Sequence, residues 1–463
     1  STQTGVVDLN TVPASLIERV DVLTGGASTV YGSDALAGVV NFTLRDDFEG
    51  ATVSSLYDVT TEGDGERFNV DLTLGGNFAD GKGNATLYAG FFNRQPLFQD
   101  DRDFSSDALQ DTGTPGDLVP GGSSGVPQGA ANLGSGLQIF DQTPAGAEAR
   151  DFTVPGDLFN YAPDNYLQLP HERFLLAGMA HYDVNERLRI FSELQFANNK
   201  VDQELAPTPV FIPNSFDPSP VLINPESAYF GPDTQATLAG LPCAVDDGNG
   251  NCLAVGVNDV RRRMVEVGPR QALNNRDAFR VLLGAEGDIT DRWSYNAYYS
   301  ISRLTSTEAQ NNNISQSRFR QALLTNDAGT ACQDPSGGCA PLNIWGLDNI
   351  SNAAAAFIRI GATNITTIEQ QVLSVGVSGE LFSVTPNAAP IAVAFGFEHR
   401  EDESTFRPDE FLASGDVLGF NAGDVTAGGF DVNEAFVEAD VPLLAGVPLV
   451  ESLSVRLSAR LSD

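Results

Sequence analysis

The sequence predicts an all-β fold in which antiparallel strands form a transmembrane barrel, preceded by part of a small α/β domain. Apolar residues alternate with polar ones from residue 50 onward, as in strands that have two unlike faces. The predicted connections between strands alternate between long and short. No uninterrupted apolar run reaches the roughly 18 to 20 residues that a spanning helix requires, and the mean hydropathy is −0.12. Barrel strands escape hydropathy analysis because lipid-facing and lumen-facing residues alternate along them.

Eleven strands follow from this alternation. The last one shows it clearly, since Leu453, Val455 and Leu457 alternate with Ser454 and Arg456. The predicted strands cover approximately residues 51–60, 66–76, 83–94, 173–184, 187–201, 276–288, 291–309, 368–382, 389–405, 430–441 and 450–462.

The connections indicate which ends of these strands share a side. The long ones cover about 95–172, 202–275, 310–367 and 406–429, and we expect them to be irregular external loops. Antiparallel strands that cross a membrane place alternate connections on opposite sides, and outer-membrane barrels have short periplasmic turns. A soluble sandwich or propeller would also explain the alternation of residues, but not this alternation of loop lengths.

The charge balance and the histidines exclude several functions. Asp and Glu number 61 against 26 Lys and Arg, giving a formal net charge of −35, so we expect no nucleic-acid partner. The three histidines, His171, His181 and His399, are scattered, and no catalytic constellation is visible. We therefore predict that the chain is not an enzyme and has neither a cofactor nor a resident metal.

The four cysteines form two close pairs in Gly-rich polar segments, "CAVDDGNGNC" and "CQDPSGGC". Local disulfides, Cys243–Cys252 and Cys332–Cys339, are favoured, and they would indicate an oxidising compartment. A zinc site is the weaker alternative because the C-x2-C spacing and a nearby histidine are missing.

The first 45 residues differ from the rest and predict a small mixed unit. A short helix is expected at 14–19, a strand at 20–23, a helical piece at 27–31 and a closing strand in "AGVVNFTLR". The glycines do not fit a phosphate-binding loop, because no Lys occupies the required position and the spacing differs from G-x-G-x-x-G.

The stretch "ERVDVLTGGASTVYGSDALAGVVNFTLR", residues 18–45, resembles the end of the plug domain of TonB-dependent outer-membrane receptors. It departs from the family pattern at Thr24, where Arg is common, and at Gly26, where Pro is frequent. The motif positions that carry the resemblance are Glu18, Arg19, Gly25, Gly26, Tyr31, Gly32, Gly38, Asn41 and Arg45.

The resemblance implies a plug inside a 22-stranded barrel, with release of the ligand when the TonB complex pulls on the plug. We expect residues 1–47 to be the C-terminal part of the plug and residues 48–463 the N-terminal half of the barrel, without a TonB box. The implied partners are TonB with ExbB and ExbD, outer-membrane lipid, lipopolysaccharide and a small-molecule ligand. The implied location is the bacterial outer membrane, and we expect a monomer.

Three groups of residues are candidate sites. Family resemblance implies a lock between plug arginines and barrel glutamates, for which Arg19, Arg45, Glu398 and Glu438 are candidates; separately solvated charges are the alternative. The basic residues Arg261, Arg262, Arg263 and Arg270 could bind an anionic ligand, or could neutralise acidic loops or lipopolysaccharide phosphates. Asp100, Asp101, Asp103 and the run "DDGNGN" could bind calcium, although solvated loops explain them better.

The predicted function is TonB-dependent uptake of a scarce solute, with a ferric siderophore complex as first choice. Uptake of carbohydrate or another organic nutrient by the same mechanism is the alternative. A passive porin or adhesin barrel belongs to a different class, and neither would need the plug motif.

Overall fold

A computed structural model describes residues 9–24, 35, 38–214, 217–386, 388–447 and 450–463. At its start, two 3-10 turns, Leu9–Thr11 and Ala14–Leu16, lead into an antiparallel hairpin of strands β1 (Ile17–Thr24) and β2 (Gly38–Leu44). The helix predicted at 14–19 is therefore wrong beyond Leu16, because the chain extends from Ile17 to pair with β2. The helical piece predicted at 27–31 lies outside the described residues.

Gly38 begins β2 in a conformation that favours glycine. Its φ is +151°, and a Cβ added there would lie 2.5 Å from the carbonyl oxygen of Leu23 on β1. The absence of a side chain thus lets the two strands approach at the end of the hairpin.

Eleven strands form one antiparallel sheet in which every strand pairs with its neighbours in the chain. This confirms the predicted fold class. The strands are β3 (Gly50–Asp58), β4 (Arg67–Phe78), β5 (Gly83–Arg94), β6 (His171–Asn185), β7 (Leu188–Leu205), β8 (Arg270–Thr290), β9 (Trp293–Ile314), β10 (Arg359–Ser383), β11 (Pro390–Arg407), β12 (Thr426–Val447) and β13 (Val450–Ser462).

The sheet has one apolar face and one polar face, as the period of two requires. Register partners share a face, so rows of side chains can be followed across the strands. One such row is apolar and contains Ile190, Ala285, Ala297, Val375 and Phe397. A row on the opposite face is polar and contains Gln195, Arg280, Ser302, Gln370 and Asp402.

The strands extend further than predicted at the end where the long connections lie. Strand β10 begins at Arg359 rather than near residue 368, and β8 begins at Arg270 rather than near 276. In the extension of β9 both faces of the ladder are polar, as in residues 310–313, "QNNN". The apolar alternation that reveals a strand is lost there, although the hydrogen-bonded pairing continues.

The prediction of irregular long loops is wrong. The connections at 95–170, 206–269, 315–358 and 408–425 fold together into one assembly, which we call the loop cap. Its strands are Leu97–Phe98, Leu109–Asp111, Leu118–Pro120, Ala130–Asn132, Leu137–Thr143, Gly146–Asp151, Tyr166–Gln168, Pro209–Ile212, Val221–Ile223, Cys243–Asp246 and Cys252–Arg263. Its helices are α1 (Pro232–Ala239), α2 (Gln316–Leu323), α3 (Asn352–Ile358) and α4 (Glu410–Ser414).

All four connections contribute to the hydrophobic core of the loop cap. Trp345 is 1% exposed, and its ring centroid lies 4.6 Å from that of Phe140 and 5.4 Å from that of Phe230. These three aromatic residues come from three connections, and Leu418 of the fourth belongs to the same core. The loop cap is therefore a packed unit, since a core that combines distant chain segments couples their stability.

No helix in the described ranges is long and apolar enough to cross a membrane.

Candidate functional site

The segment before β1 rests on the polar face of the sheet through one apolar anchor. Leu16 is 1% exposed and packs with Tyr88 of β5 and with Leu175 and Met179 of β6. The backbone N–H of Arg45 donates to the carbonyl oxygen of Leu16 at 2.9 Å, which ties this anchor to the end of the hairpin. An apolar patch on the polar face thus receives the hairpin unit.

Polar contacts surround this anchor. The side-chain amide of Gln195 on β7 donates to the carbonyl oxygen of Thr11, and that of Asn84 on β5 donates to the carbonyl oxygen of Phe48 at 3.0 Å. These bonds go to backbone carbonyls, so they fix the position of the segment without requiring particular side chains on it. The first described part of the chain therefore covers the polar face of β5, β6 and β7.

A cleft of about 810 Å³ opens beside Thr11 on the same face. The cationic side chains of Arg276, Arg280 and Arg400 line it together with the carboxylate of Asp402. Arg280 makes an ion pair with Glu193 of β7 at 3.2 Å, and the Nε of Arg400 lies 3.3 Å from the carboxylate of Asp402. The cleft can therefore present both charges to a polar solute next to the bound segment.

The four predicted lock residues do not pair with one another in the described structure. Arg19 pairs with Asp21 at 2.8 Å on its own strand, and Arg45 is exposed. Glu398 and Glu438 lie on the polar face, as predicted from their parity, but near arginines of β13. Arg460 lies 3.9 Å from Glu398, and Arg456 lies 3.7 Å from Glu438.

The remaining motif positions are placed as follows. Glu18 is exposed at the beginning of β1, and Asn41 is exposed on β2 opposite Asp21. Gly38 is the glycine of the hairpin described above. Four other motif positions, Gly25, Gly26, Tyr31 and Gly32, lie outside the described residues.

The predicted basic cluster divides into residues with different surroundings. Arg261 forms an ion pair with Asp259 at 2.7 Å. Arg262 is fully buried, pairs with Glu266 and donates to the carbonyl oxygen of Gly346 at 2.9 Å. These two guanidiniums therefore already have partners within the loop cap.

Arg263 and Arg270 lie on a small cavity of about 220 Å³ where the loop cap meets β7 and β8. Arg263 is 3% exposed. Its burial, followed by the nearby charge of Arg270, lowers its pKa to about 10. The guanidinium remains charged at neutral pH, in surroundings that disfavour its charge.

Two of the acidic candidates accept hydrogen bonds from residues close to them in the chain. Asp101 accepts a hydrogen bond from the backbone N–H of Phe98 at 2.7 Å, and Asp100 and Asp103 are exposed. In "DDGNGN", Asp247 accepts from the backbone and side chain of Asn251, and these bonds lower its pKa to about 2. Within the described part of the chain, no group of three or more metal-ligating side chains is close enough to hold an ion.

Both cysteine pairs are disulfide-bonded in the loop cap. The Cα atoms of Cys243 and Cys252 are 5.7 Å apart, and those of Cys332 and Cys339 are 6.3 Å apart. Cys332 is buried, while Cys252 and Cys339 pack against the aromatic core. Each bond closes a short loop at the surface of the loop cap.

The three histidines lie apart from one another. His171 begins β6, His181 lies further along the same strand, and His399 lies on β11 with its Nδ1 3.0 Å from the side-chain oxygen of Asn433. His181 Nδ1 lies 3.9 Å from Asp46, which adds to the contacts of the hairpin unit with the sheet.

Sequence reasoning missed the ion pairs that order the long connections. Arg150 binds both Asp141 and Asp157, at 2.6 and 2.7 Å, and its hydrogen bond holds the pKa of Asp157 well below the ordinary value. Arg102 pairs with Asp64 at 2.7 Å and joins two different connections. The only signal in the sequence was the small number of basic residues among many acidic ones in these segments. Each basic residue there is therefore expected to pair with a carboxylate.

Comparison with protein families places the first part of the chain. Residues 1–39 match the family described as the TonB-dependent Receptor Plug Domain. This confirms the resemblance drawn from residues 18–45 and assigns the segment that rests on the polar face of the sheet to a plug.

Solved structures with a similar fold include three receptors. A mutant ferric enterobactin receptor from Pseudomonas aeruginosa in complex with enterobactin has a TM-score of 0.47 and 12% identity, and the match covers 99% of this chain and 46% of that one. The siderophore receptor PirA from Acinetobacter baumannii has a TM-score of 0.45 and 14% identity, with 99% and 45% covered. The open form of the ferric-catecholate import receptor Fiu from E. coli K12 has a TM-score of 0.40 and 11% identity, with 96% and 59% covered.

The chain thus spans about half the length of the solved receptors it resembles. Residues 1–39 therefore carry the plug domain of TonB-dependent receptors, and this plug segment lies against the polar face of the two-faced antiparallel sheet.

Proposed function

We propose that the protein takes up a scarce solute, a ferric siderophore complex, across the bacterial outer membrane with energy supplied through TonB. The observation that carries this proposal is the seating of the plug segment, through Leu16, on the polar face of the sheet. A transporter of this class needs a plug that closes the lumen and can be displaced from it. A passive porin or an adhesin has no use for such a contact.

The described contacts suit a plug that moves under force. Burial of one leucine contributes about 1.5–3 kcal/mol, and each neutral hydrogen bond contributes about 0.5–1.5 kcal/mol. The bond from Gln195 to Thr11 can be replaced by bonds to water when the plug segment leaves. The seat would therefore hold the plug at rest and yield to a pull.

The proposed topology follows from the two ends of the sheet. Residues 1–47 are the plug part, and residues 48–463 form the barrel wall with its loop cap. The apolar face meets outer-membrane lipid, and the loop cap with its disulfides faces the outside, where lipopolysaccharide would border it. The short turns face the periplasm, where TonB, coupled to ExbB and ExbD, would act on the plug.

The cargo is the finer part of the proposal. Ferric siderophores come first because they are the commonest cargo of this family, and the cationic residues of the lumen cleft suit an anionic complex. Carbohydrate or another organic nutrient is the alternative. The receptor function itself makes no use of catalysis, so we expect no enzymatic activity.

The test is energy-dependent uptake under iron limitation. Cells that lack the gene should take up a radiolabelled ferric siderophore more slowly than cells that carry it, and deletion of TonB should abolish the difference. Uptake that depends on the gene but persists without TonB would refute the mechanism and favour a passive channel. If uptake of labelled oligosaccharides depended on the gene and on TonB, and uptake of iron did not, the proposed cargo would be refuted. The proposed TonB-dependent mechanism would then still hold.

A further inference from the structure

The small cavity at the junction of the loop cap with β7 and β8 brings two guanidiniums together. It has a volume of about 220 Å³, and Arg263 and Arg270 line it with the polar residues Ser123, Tyr161 and Asn165. Arg263 ends a strand of the loop cap, and Arg270 begins β8, so the cavity lies where two parts of the fold meet.

Backbone carbonyls hold both guanidiniums without using all their donors. Arg263 donates from Nη1 to the carbonyl oxygen of Pro207 at 2.9 Å and from Nε to that of Gly125 at 3.4 Å. Arg270 donates from Nε to the carbonyl oxygen of Ala206 at 2.9 Å. A guanidinium has five N–H donors, so the described bonds leave donors on both side chains, which are fixed in place on the cavity wall.

No carboxylate lies within 4.0 Å of either guanidinium in the parts of the chain that the structure describes. This distinguishes them from Arg261 and Arg262 on the same strand, which pair with Asp259 and Glu266. The carboxylate of Asp164 favours the charged form of Arg263, but it does not form an ion pair with it.

Two neighbouring cations in a buried setting favour an anion between them. Burial and the charge of Arg270 both lower the pKa of Arg263, and burial lowers that of Arg270. Removing charges from water is costly unless they are paired. An anion in the cavity would supply the missing opposite charge, and the planar forks of two arginines match the oxygens of a carboxylate or phosphate.

We propose that this cavity binds a single oxoanion group, a carboxylate or a phosphate. A volume of 220 Å³ corresponds to about seven water molecules at roughly 30 Å³ each. This is room for an anionic head group, but not for a whole ferric siderophore. The inference deepens the proposed function, on which it rests for the source of the anion, by naming the charged group of the solute that the loop cap would recognise.

Binding to the purified full-length receptor tests the proposal independently of transport. Isothermal titration in detergent would use sodium phosphate in one arm and sodium citrate in the other, with ionic strength held constant by chloride. We expect saturable binding in at least one arm: phosphate alone indicates a phosphate group, citrate alone a carboxylate, and both a general oxoanion site. Binding in neither arm overturns the proposal.

Substitutions locate the site. Arg270→Gln should weaken binding at least tenfold, whereas Arg261→Gln, a neighbouring arginine that already has a carboxylate partner, should leave it unchanged. Equal loss in both variants, or no loss in Arg270→Gln, would overturn the assignment. Arg263→Lys keeps the charge and should retain weakened binding. Tryptophan fluorescence, which comes from Trp345 in the loop cap and from Trp293 on β9, checks that each variant keeps its fold. Loss of TonB-dependent uptake with anion binding intact would refute the proposed function alone, so the two proposals can fail separately.

Discussion

Replacing Trp345 by alanine should loosen all the long connections together. The indole is 1% exposed and packs against Phe140 and Phe230, which belong to two other connections. Truncation of a buried aromatic residue costs about 3–5 kcal/mol. At about 1.4 kcal/mol per factor of ten, opening of the loop cap should become about two to nearly four orders of magnitude more frequent.

Hydrogen exchange followed by mass spectrometry measures this opening segment by segment. In Trp345→Ala, exchange should accelerate in the strands that contain Phe140 and Val257 as well as around the substitution. Exchange in the middle of the eleven-stranded sheet should not change, because its pairing does not involve Trp345. Leu347→Ala is the matched control, since Leu347 is only two residues away but 47% exposed.

Acceleration confined to residues near position 345 would refute the reasoning. It would mean that the connections are separate loops in contact, rather than one core. Equal effects of Leu347→Ala and Trp345→Ala would also count against the account, since burial is the property that distinguishes the two positions.

Three further predictions concern other parts of the fold. Gly38→Ala should cost about 1–3 kcal/mol through strained backbone and a clash with Leu23, seen as faster exchange of the plug hairpin. The hydrogen bond from Arg150 lowers the pKa of Asp157, so the ionised carboxylate should stabilise the loop cap above the ordinary carboxyl pKa of about 4 and lose this effect as the pH falls further. In Asp157→Asn, hydrogen exchange of the loop cap should therefore depend less on pH below about pH 4. An unchanged pH dependence would contradict this. Arg460→Met should destabilise the last strands by about 3–5 kcal/mol in chemical unfolding. The substitution removes the ion-pair partner of Glu434, whose side chain is 6% exposed and lies 2.5 Å from Arg460. Stability equal to that of the wild type would show that the pair contributes nothing.

The strands of the sheet could be predicted because their two faces meet different surroundings. Where one face must be apolar, alternation such as that of Leu453, Val455 and Leu457 appears in the sequence. The extension of β9 was missed because both faces there are polar, and that of β10 was missed because its apolar residues Ile360 and Ala362 pack against Leu412 of a distant connection. The helix expected at 14–19 failed because pairing with β2 outweighs the local preference of this short segment.

The loop cap could not be predicted because its core joins residues that are far apart in the chain. Nothing near Phe140, Phe230 or Trp345 indicates that the three will meet, and each alone fits an irregular loop. The sequence shows that four arginines lie close together, but not that their surroundings differ. Only the tertiary structure buries Arg262 with Glu266 and places Arg263 on a cavity.

The most direct test of the central claim is to tether the plug to its seat. Thr11→Cys with Gln195→Cys places thiols on two residues that are in contact, and the four native cysteines are disulfide-bonded. A short cleavable thiol cross-linker should stop TonB-dependent uptake, and cleavage should restore it. Ser378→Cys with Ala394→Cys tethers two neighbouring strands of the wall and should leave uptake unchanged. Undiminished uptake by the tethered plug would contradict the account.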